Sequence, residues 1–184
     1  MMIRTTAAAA MGCLLLGGTA SAQQNGIAQG LYVGGSLNYA YFWEINDAEY
    51  DLLGFGLSAL AGLQMLPNVR LEGELGYETA DFDDVNVETE VTRGTVSAYY
   101  DLGSRAQIAS GDLVPYVGLG AGLANIDFGA VDDNELTIHG EAGATMIIGD
   151  NLEFVPGLRL EIIPLDDGDD QWITQLRAGL RYRL

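Results

Sequence analysis

The chain has 184 residues, 48% of them hydrophobic, and sets 26 acidic residues against 8 arginines and no lysine, for a formal charge of −18. A polyanion of this size is repelled by phosphate backbones, which excludes nucleic-acid binding. The apolar content and the clustering of the acids in turn exclude a disordered acidic tail.

In chain order, the first element is a leader. "MMIRTTAAAAMGCLLLGGTASAQQ" joins a basic start at Arg4, an apolar run from Ala7 to Leu16 and a small-residue cleavage site at Ala20-Ser21-Ala22. That is the pattern of a secretory signal peptide over 1–22, leaving 23–184 as one domain. Lipidation at Cys13 fits less well, because the leucines it needs follow the cysteine. Cys13 is the only cysteine, so the exported chain builds no disulfide and must be held together otherwise. No later run of about 18 apolar residues offers a transmembrane helix.

Eight segments of alternating character then follow: Leu31–Trp43, Phe55–Met65, Val69–Thr79, Val91–Leu102, Pro115–Ile126, Leu136–Ile148, Leu152–Ile163 and Trp172–Leu184. Period two marks β-strands, and segments of about 11 to 14 residues suit a tilted crossing of a bilayer. In "RLEGELGYE", Arg70, Glu72, Glu74, Gly76 and Glu78 share one face, and Leu71, Gly73, Leu75 and Tyr77 the other. The fifth segment sets Val117, Leu119, Ala121 and Leu123 against Tyr116, Gly118, Gly120, Gly122 and Ala124. The eighth sets Trp172, Leu176, Ala178, Leu180, Tyr182 and Leu184 against Gln175, Arg177, Gly179, Arg181 and Arg183.

A face in bulk water has no use for rows of glycine, whereas a crowded interior does. An eight-stranded barrel is only just wide enough for its inward side chains, so the glycines are expected to make room for long Arg and Glu side chains. The bulky apolar face must then look outward into lipid. The fold expected is all-β, an eight-stranded antiparallel up-and-down transmembrane barrel.

The connections sort by parity. The odd ones, "EINDAEYD", "DFDDVNVETE", "DFGAVDDNE" and "PLDDGDDQ", hold 4, 5, 4 and 4 acidic residues. The even ones, "LPN", the middle segment "GSRAQIASGD" and "GDN", are close to neutral. Acidic long loops outside and short periplasmic turns fit an outer-membrane barrel. Aromatic side chains gather at strand ends, with Tyr41, Trp43, Tyr77 and Trp172 near the outer boundary and Tyr100 and Tyr182 near the inner one, as interfacial girdles do.

Three stretches carry a family likeness: "PYVGLGAGL" (Pro115–Leu123), "GDNLEFVPGLRLE" (Gly149–Glu161) and "RAGLRYRL" (Arg177–Leu184). With them the chain resembles the small eight-stranded outer-membrane barrels of Gram-negative bacteria, the group of the OmpA transmembrane domain and the opacity-like surface proteins. The resemblance implies that Arg177, Gly179, Tyr182 and Leu184 form the terminal signal read by the barrel-assembly machinery. Two features depart from the group: the chain ends in Leu184 where Phe or Trp is usual, and Leu158-Arg159-Leu160 replaces an arginine flanked by tyrosines.

The expected interior holds Arg70, Arg93, Arg159, Arg177 and Arg181 with Glu72, Glu74, Glu78, Glu141, Glu153 and Glu161. Lone charges there would each cost several kcal/mol, so pairing into a plug of salt bridges is expected. His139, beside Thr137 and Glu141, has no serine two residues away and reads as a satisfied interior histidine rather than a base. Metal-ligand spacing of His or Cys is absent from the sequence. The oxygen-rich "DDGDD", with Asp166, Asp167, Asp169 and Asp170, together with Asp81, Asp83 and Asp84, is a weak candidate for Ca²⁺ bridging to lipopolysaccharide; its spacing matches no EF-hand.

The sequence thus points to a monomeric, non-enzymatic outer-membrane protein without a cofactor. Its lumen is plugged, its loops face the cell surface, and its role is structural or one of surface interaction among lipid and lipopolysaccharide. A narrow ion-conducting pore, a secreted lipocalin-like binder with its faces reversed, and a lipid-acting enzyme are the alternatives.

Overall fold

In the computed structural model, residues 30–42, 52–81, 88–103, 106–108, 111–127, 132–164 and 171–184 are described. They form nine strands: β1 Leu31–Phe42, β2 Leu52–Leu66, β3 Val69–Asp81, β4 Glu88–Asp101, β5 Ala106–Ile108, β6 Gly111–Asp127, β7 Asp132–Ile147, β8 Leu152–Ile163 and β9 Gln171–Arg183. Eight long strands close on themselves through β1–β9 and β4–β6, every pair antiparallel, while β5 is a short arm on the start of β6. The middle connection, read from sequence as a plain segment, therefore contains a small hairpin. It is entered through Gly103, whose φ of 71° is a left-handed conformation that favours glycine.

Closure removes the free edges that would otherwise expose backbone groups to hydrocarbon. Pro67 and Asn68 join β2 to β3, next to a register shift between Gln64 and Leu66 where the Gln64 amide donates to the Leu66 carbonyl at 2.8 Å. Pro156, which has no N–H to give, lies in the gap of the β7–β8 ladder between Gly143↔Gly157 and Met146↔Phe154, across which the register is unchanged.

Alternation decides the two faces. Leu75, Leu119 and Leu180 are 45%, 73% and 52% exposed, whereas Glu74 and Arg177 are each only 5% exposed. Bulky apolar groups surround the barrel and ionised groups fill it, an inside-out arrangement that only a lipid surround stabilises. Tyr77, Tyr100, Trp172 and Tyr182 all stand on the outer surface, and Trp43 lies outside the described residues. The inner face is not polar throughout. At the mouth bearing the long connections it carries a buried apolar cluster of Ala40, Phe42, Val91, Ala124, Ile163 and Ile173.

Candidate functional site: the lumen ion network

At mid-barrel two arginines and two glutamates from four strands meet. Arg159 of β8 grips Glu74 of β3 with both terminal nitrogens, at 2.9 and 3.2 Å, and donates from Nε to Glu141 of β7 at 3.0 Å. Arg177 of β9 reaches the same two carboxylates, Glu141 at 2.6 Å and Glu74 at 2.5 Å. Charges in this quartet cancel. Its spare lone pairs and donors are also used: Tyr116 and Tyr99 donate to Glu141 at 2.7 and 3.1 Å, and Arg177 donates to Asn38 and Ser36 at 3.2 and 3.0 Å. Such completeness is what makes buried ion pairs tolerable.

Toward the long-connection mouth, Arg93 alone serves two carboxylates, Glu78 at 2.5 Å and Glu161. Thr137 and Gln175 donate to Glu161 at 2.5 and 3.0 Å. Above this lies the apolar cluster, in which Phe42 is registered against Ile173.

Toward the other mouth, Glu72 accepts from Arg70 at 3.1 Å, Arg181 at 2.8 Å and Tyr32 at 2.9 Å. Arg70 also pairs with Asp101, and Arg183 with Glu153. The Arg70 guanidinium lies 4.7 and 4.5 Å from the ring centres of Tyr99 and Tyr116, a cation–π clamp, and Arg181 lies 5.3 Å from that of Tyr32. Of these groups Tyr32, Arg70, Asp101, Glu153, Arg181 and Arg183 border a cavity of about 250 Å³ open at this end.

Glycine does make room, for rings as well as for charged side chains. A Cβ on Gly62 would intrude on the Tyr32 ring and one on Gly118 on the Tyr99 ring, while arginine or glutamate stems fill the space beside Gly34, Gly56 and Gly76. The expected room for Arg and Glu side chains is present, and rings share it. A planar ring needs a flat neighbour, and glycine supplies one.

All the lumen residues read from sequence, namely Arg70, Glu72, Glu74, Glu78, Arg93, Glu141, Glu153, Arg159, Glu161, Arg177 and Arg181, are placed inward, and each takes part in an ion pair. Asp101, Gln175 and the hydroxyls of Tyr32, Tyr99 and Tyr116 were missed as partners. Strand parity could have found them, since Tyr99 and Asp101 continue the inward series of Arg93, Thr95 and Ser97. His139 does meet a serine, although not a sequence neighbour: its Nε2 is 3.0 Å from Ser97 Oγ, across Gly120 of the intervening strand. Both groups are buried, and Nδ1 has no hydrogen-bond partner among the described residues.

In the terminal strand Arg177 and Gly179 face inward, while Tyr182 and Leu184 lie on the surface. The Ca²⁺ candidates Asp166, Asp167, Asp169 and Asp170, like Asp83 and Asp84, fall outside the described residues. Asp81 ends β3.

Comparison with known proteins agrees with this architecture. Residues 10–183 match the outer membrane protein beta-barrel domain. The crystal structure of Neisserial surface protein A (NspA) is similar at a TM-score of 0.64 and 19% identity, covering 84% of this chain and 97% of that one. OprG of Pseudomonas aeruginosa is similar at a TM-score of 0.51 and 11% identity, covering 86% of this chain and 99% of that one. No curated protein sequence matches. A strand-built tube with lipid-facing leucines, an ionised interior and a family match over nearly its whole length leads to one assignment: the chain belongs to the outer membrane protein beta-barrel family.

Proposed function

We propose that the protein is a non-enzymatic, monomeric component of a Gram-negative outer membrane, with a closed lumen and a structural or surface-interaction role. The observation that carries this reading is the Glu74–Arg159–Glu141–Arg177 quartet, which ties β3 to the opposite strands β7, β8 and β9 across the middle of the tube. Four charges in mutual contact leave no unpaired ion for a permeating one to exchange with. The apolar cluster above them adds a second barrier, since a narrow apolar constriction excludes water.

In this reading the signal peptide over 1–22 exports the chain, and the terminal strand with Arg177, Gly179, Tyr182 and Leu184 guides insertion by the barrel-assembly machinery. The long acidic connections face the cell surface and the short turns the periplasm, with lipid and lipopolysaccharide around the wall. The acids of the long connections suit a surface that repels anionic neighbours. The Ser97–His139 contact is a buried interior hydrogen bond, and substituting His139 is expected to alter no lipid modification. The purified protein in planar bilayers is expected to pass no sustained current, and large stable channels would show that the lumen is open.

A further inference from the structure

We propose that the short-turn mouth of the barrel is a binding site for a small oxyanion, of carboxylate or phosphate size, held by Arg70, Arg181 and Thr145. The cavity there, about 250 Å³, is bordered by these three residues together with Asp101, Glu153 and Arg183. Its carboxylates are already engaged. Asp101 pairs with Arg70, Glu153 pairs with Arg183, and the neighbouring Glu72 accepts from Arg70, Arg181 and Tyr32.

What remains over is mostly donors, since the cavity's one carboxylate atom without a hydrogen bond among the described residues, Glu153 Oε1, has Arg183 as its ion-pair partner. Arg70 Nη2, Arg181 Nε and Thr145 Oγ1 are buried and have no hydrogen-bond partner among the described residues, although Arg70 is only 3% exposed and Arg181 only 4%. Buried N–H groups of ionised guanidinium are costly to leave unmatched, and such donors are best matched by a negatively charged oxygen.

The donors are also held in place. Two tyrosine rings flank the Arg70 guanidinium, and Tyr32 underlies that of Arg181. Little ordering is then required on binding. The volume exceeds that of one water, about 30 Å³ in the liquid, severalfold, so an oxyanion fits with part of its hydration. A cation finds no free carboxylate here, and the plugged mid-barrel makes the mouth a terminal pocket rather than a route.

The test uses the folded, full-length exported chain with ¹⁵N-labelled arginine in maltoside micelles, which contain no phosphate. Inorganic phosphate, sulfate or acetate is added at constant ionic strength. Saturable movement of the Arg70 and Arg181 side-chain resonances is expected, with those of Arg159 and Arg177 unmoved. Thr145→Val and, separately, Arg181→Lys should each weaken the apparent affinity about tenfold while heat-modifiable mobility is retained. Movement shared by all arginines, or linear to the highest concentration, or unchanged in both variants, overturns the proposal and leaves water as the occupant. A second arm identifies the source. Resonances already at their saturated positions in phosphatidylglycerol nanodiscs assign the site to a lipid headgroup phosphate, and movement there only on addition of phosphate assigns it to the dissolved ion.

Discussion

The two mouths of the barrel share the same inward parity, yet they are finished differently. At the long-connection end Phe42, Val91, Ile163 and Ile173, with Ala40 and Ala124, close the tube with apolar volume. At the short-turn end Arg70, Arg181, Glu153 and Asp101 line a polar cavity. Between them sits the charge-balanced quartet. Inward parity thus settles only that a side chain faces the lumen. Whether that stretch of lumen is dry or wet depends on which residues fill it. Beneath the apolar cluster one arginine, Arg93, serves two glutamates, and Thr137 and Gln175 add hydrogen bonds to Glu161. The short-turn end pairs Glu72, Asp101 and Glu153 each with an arginine and still keeps the buried donors Arg70 Nη2 and Arg181 Nε without partners among the described residues.

The sharpest way to break this comparison is to remove the divide itself. Arg159→Met leaves Glu74 and Glu141 each short of a partner in a site that is 1% exposed at the arginine, and is expected to cost about 3–5 kcal/mol. Urea unfolding in lipid vesicles measures it; a loss below 1 kcal/mol would mean that water already reaches mid-barrel. Ile173→Ala, in the apolar cluster, should cost less, about 2–3 kcal/mol, because Phe42 beside it can lean into the space. Planar-bilayer current should stay absent in this variant. If current appears, the apolar cluster rather than the quartet is the principal barrier.

Much of the fold was legible in the sequence because alternation is a local property. The segment Leu152–Ile163 coincides with β8, and Leu31–Trp43 nearly so with β1. Where strands ran longer than read, the reason is that polarity marks where lipid ends and not where pairing ends. The β6–β7 ladder continues from Ile126↔Asp133 to Asp127↔Asp132, because backbone groups pair whatever the side chains carry. The three-residue β5 is too short to show a period. For the lumen, which residues face inward could be read, but not who meets whom. Arg159 and Glu74 stand 85 positions apart, and their meeting depends on how the closed barrel staggers its strands. The apolar mouth was overlooked for another reason: Phe42, Val91, Ile163 and Ile173 are as greasy as the lipid-facing set, and composition cannot separate the two.

The smallest expected effects test that last distinction, between a residue's kind and the side it faces. Gly118 and Gly73 are both strand glycines, and a helical or loop argument would treat them alike. A methyl group on inward Gly118 collides with the Tyr99 ring, whose hydroxyl holds Glu141. Tyr99 is also T-stacked on Tyr116 at 5.5 Å, so it cannot withdraw without disturbing the clamp on Arg70. Gly118→Ala should therefore destabilise by about 1–3 kcal/mol. A methyl group on outward Gly73 meets nothing within 4 Å. There alanine only reduces the freedom of the unfolded chain and adds apolar surface toward lipid, so Gly73→Ala should stabilise by about 0.5–1 kcal/mol. Opposite signs from one chemical change, read from paired unfolding curves in the same vesicles, would follow from the inside-out sorting alone; equal signs would mean that the Tyr99 ring does not occupy the space beside Gly118.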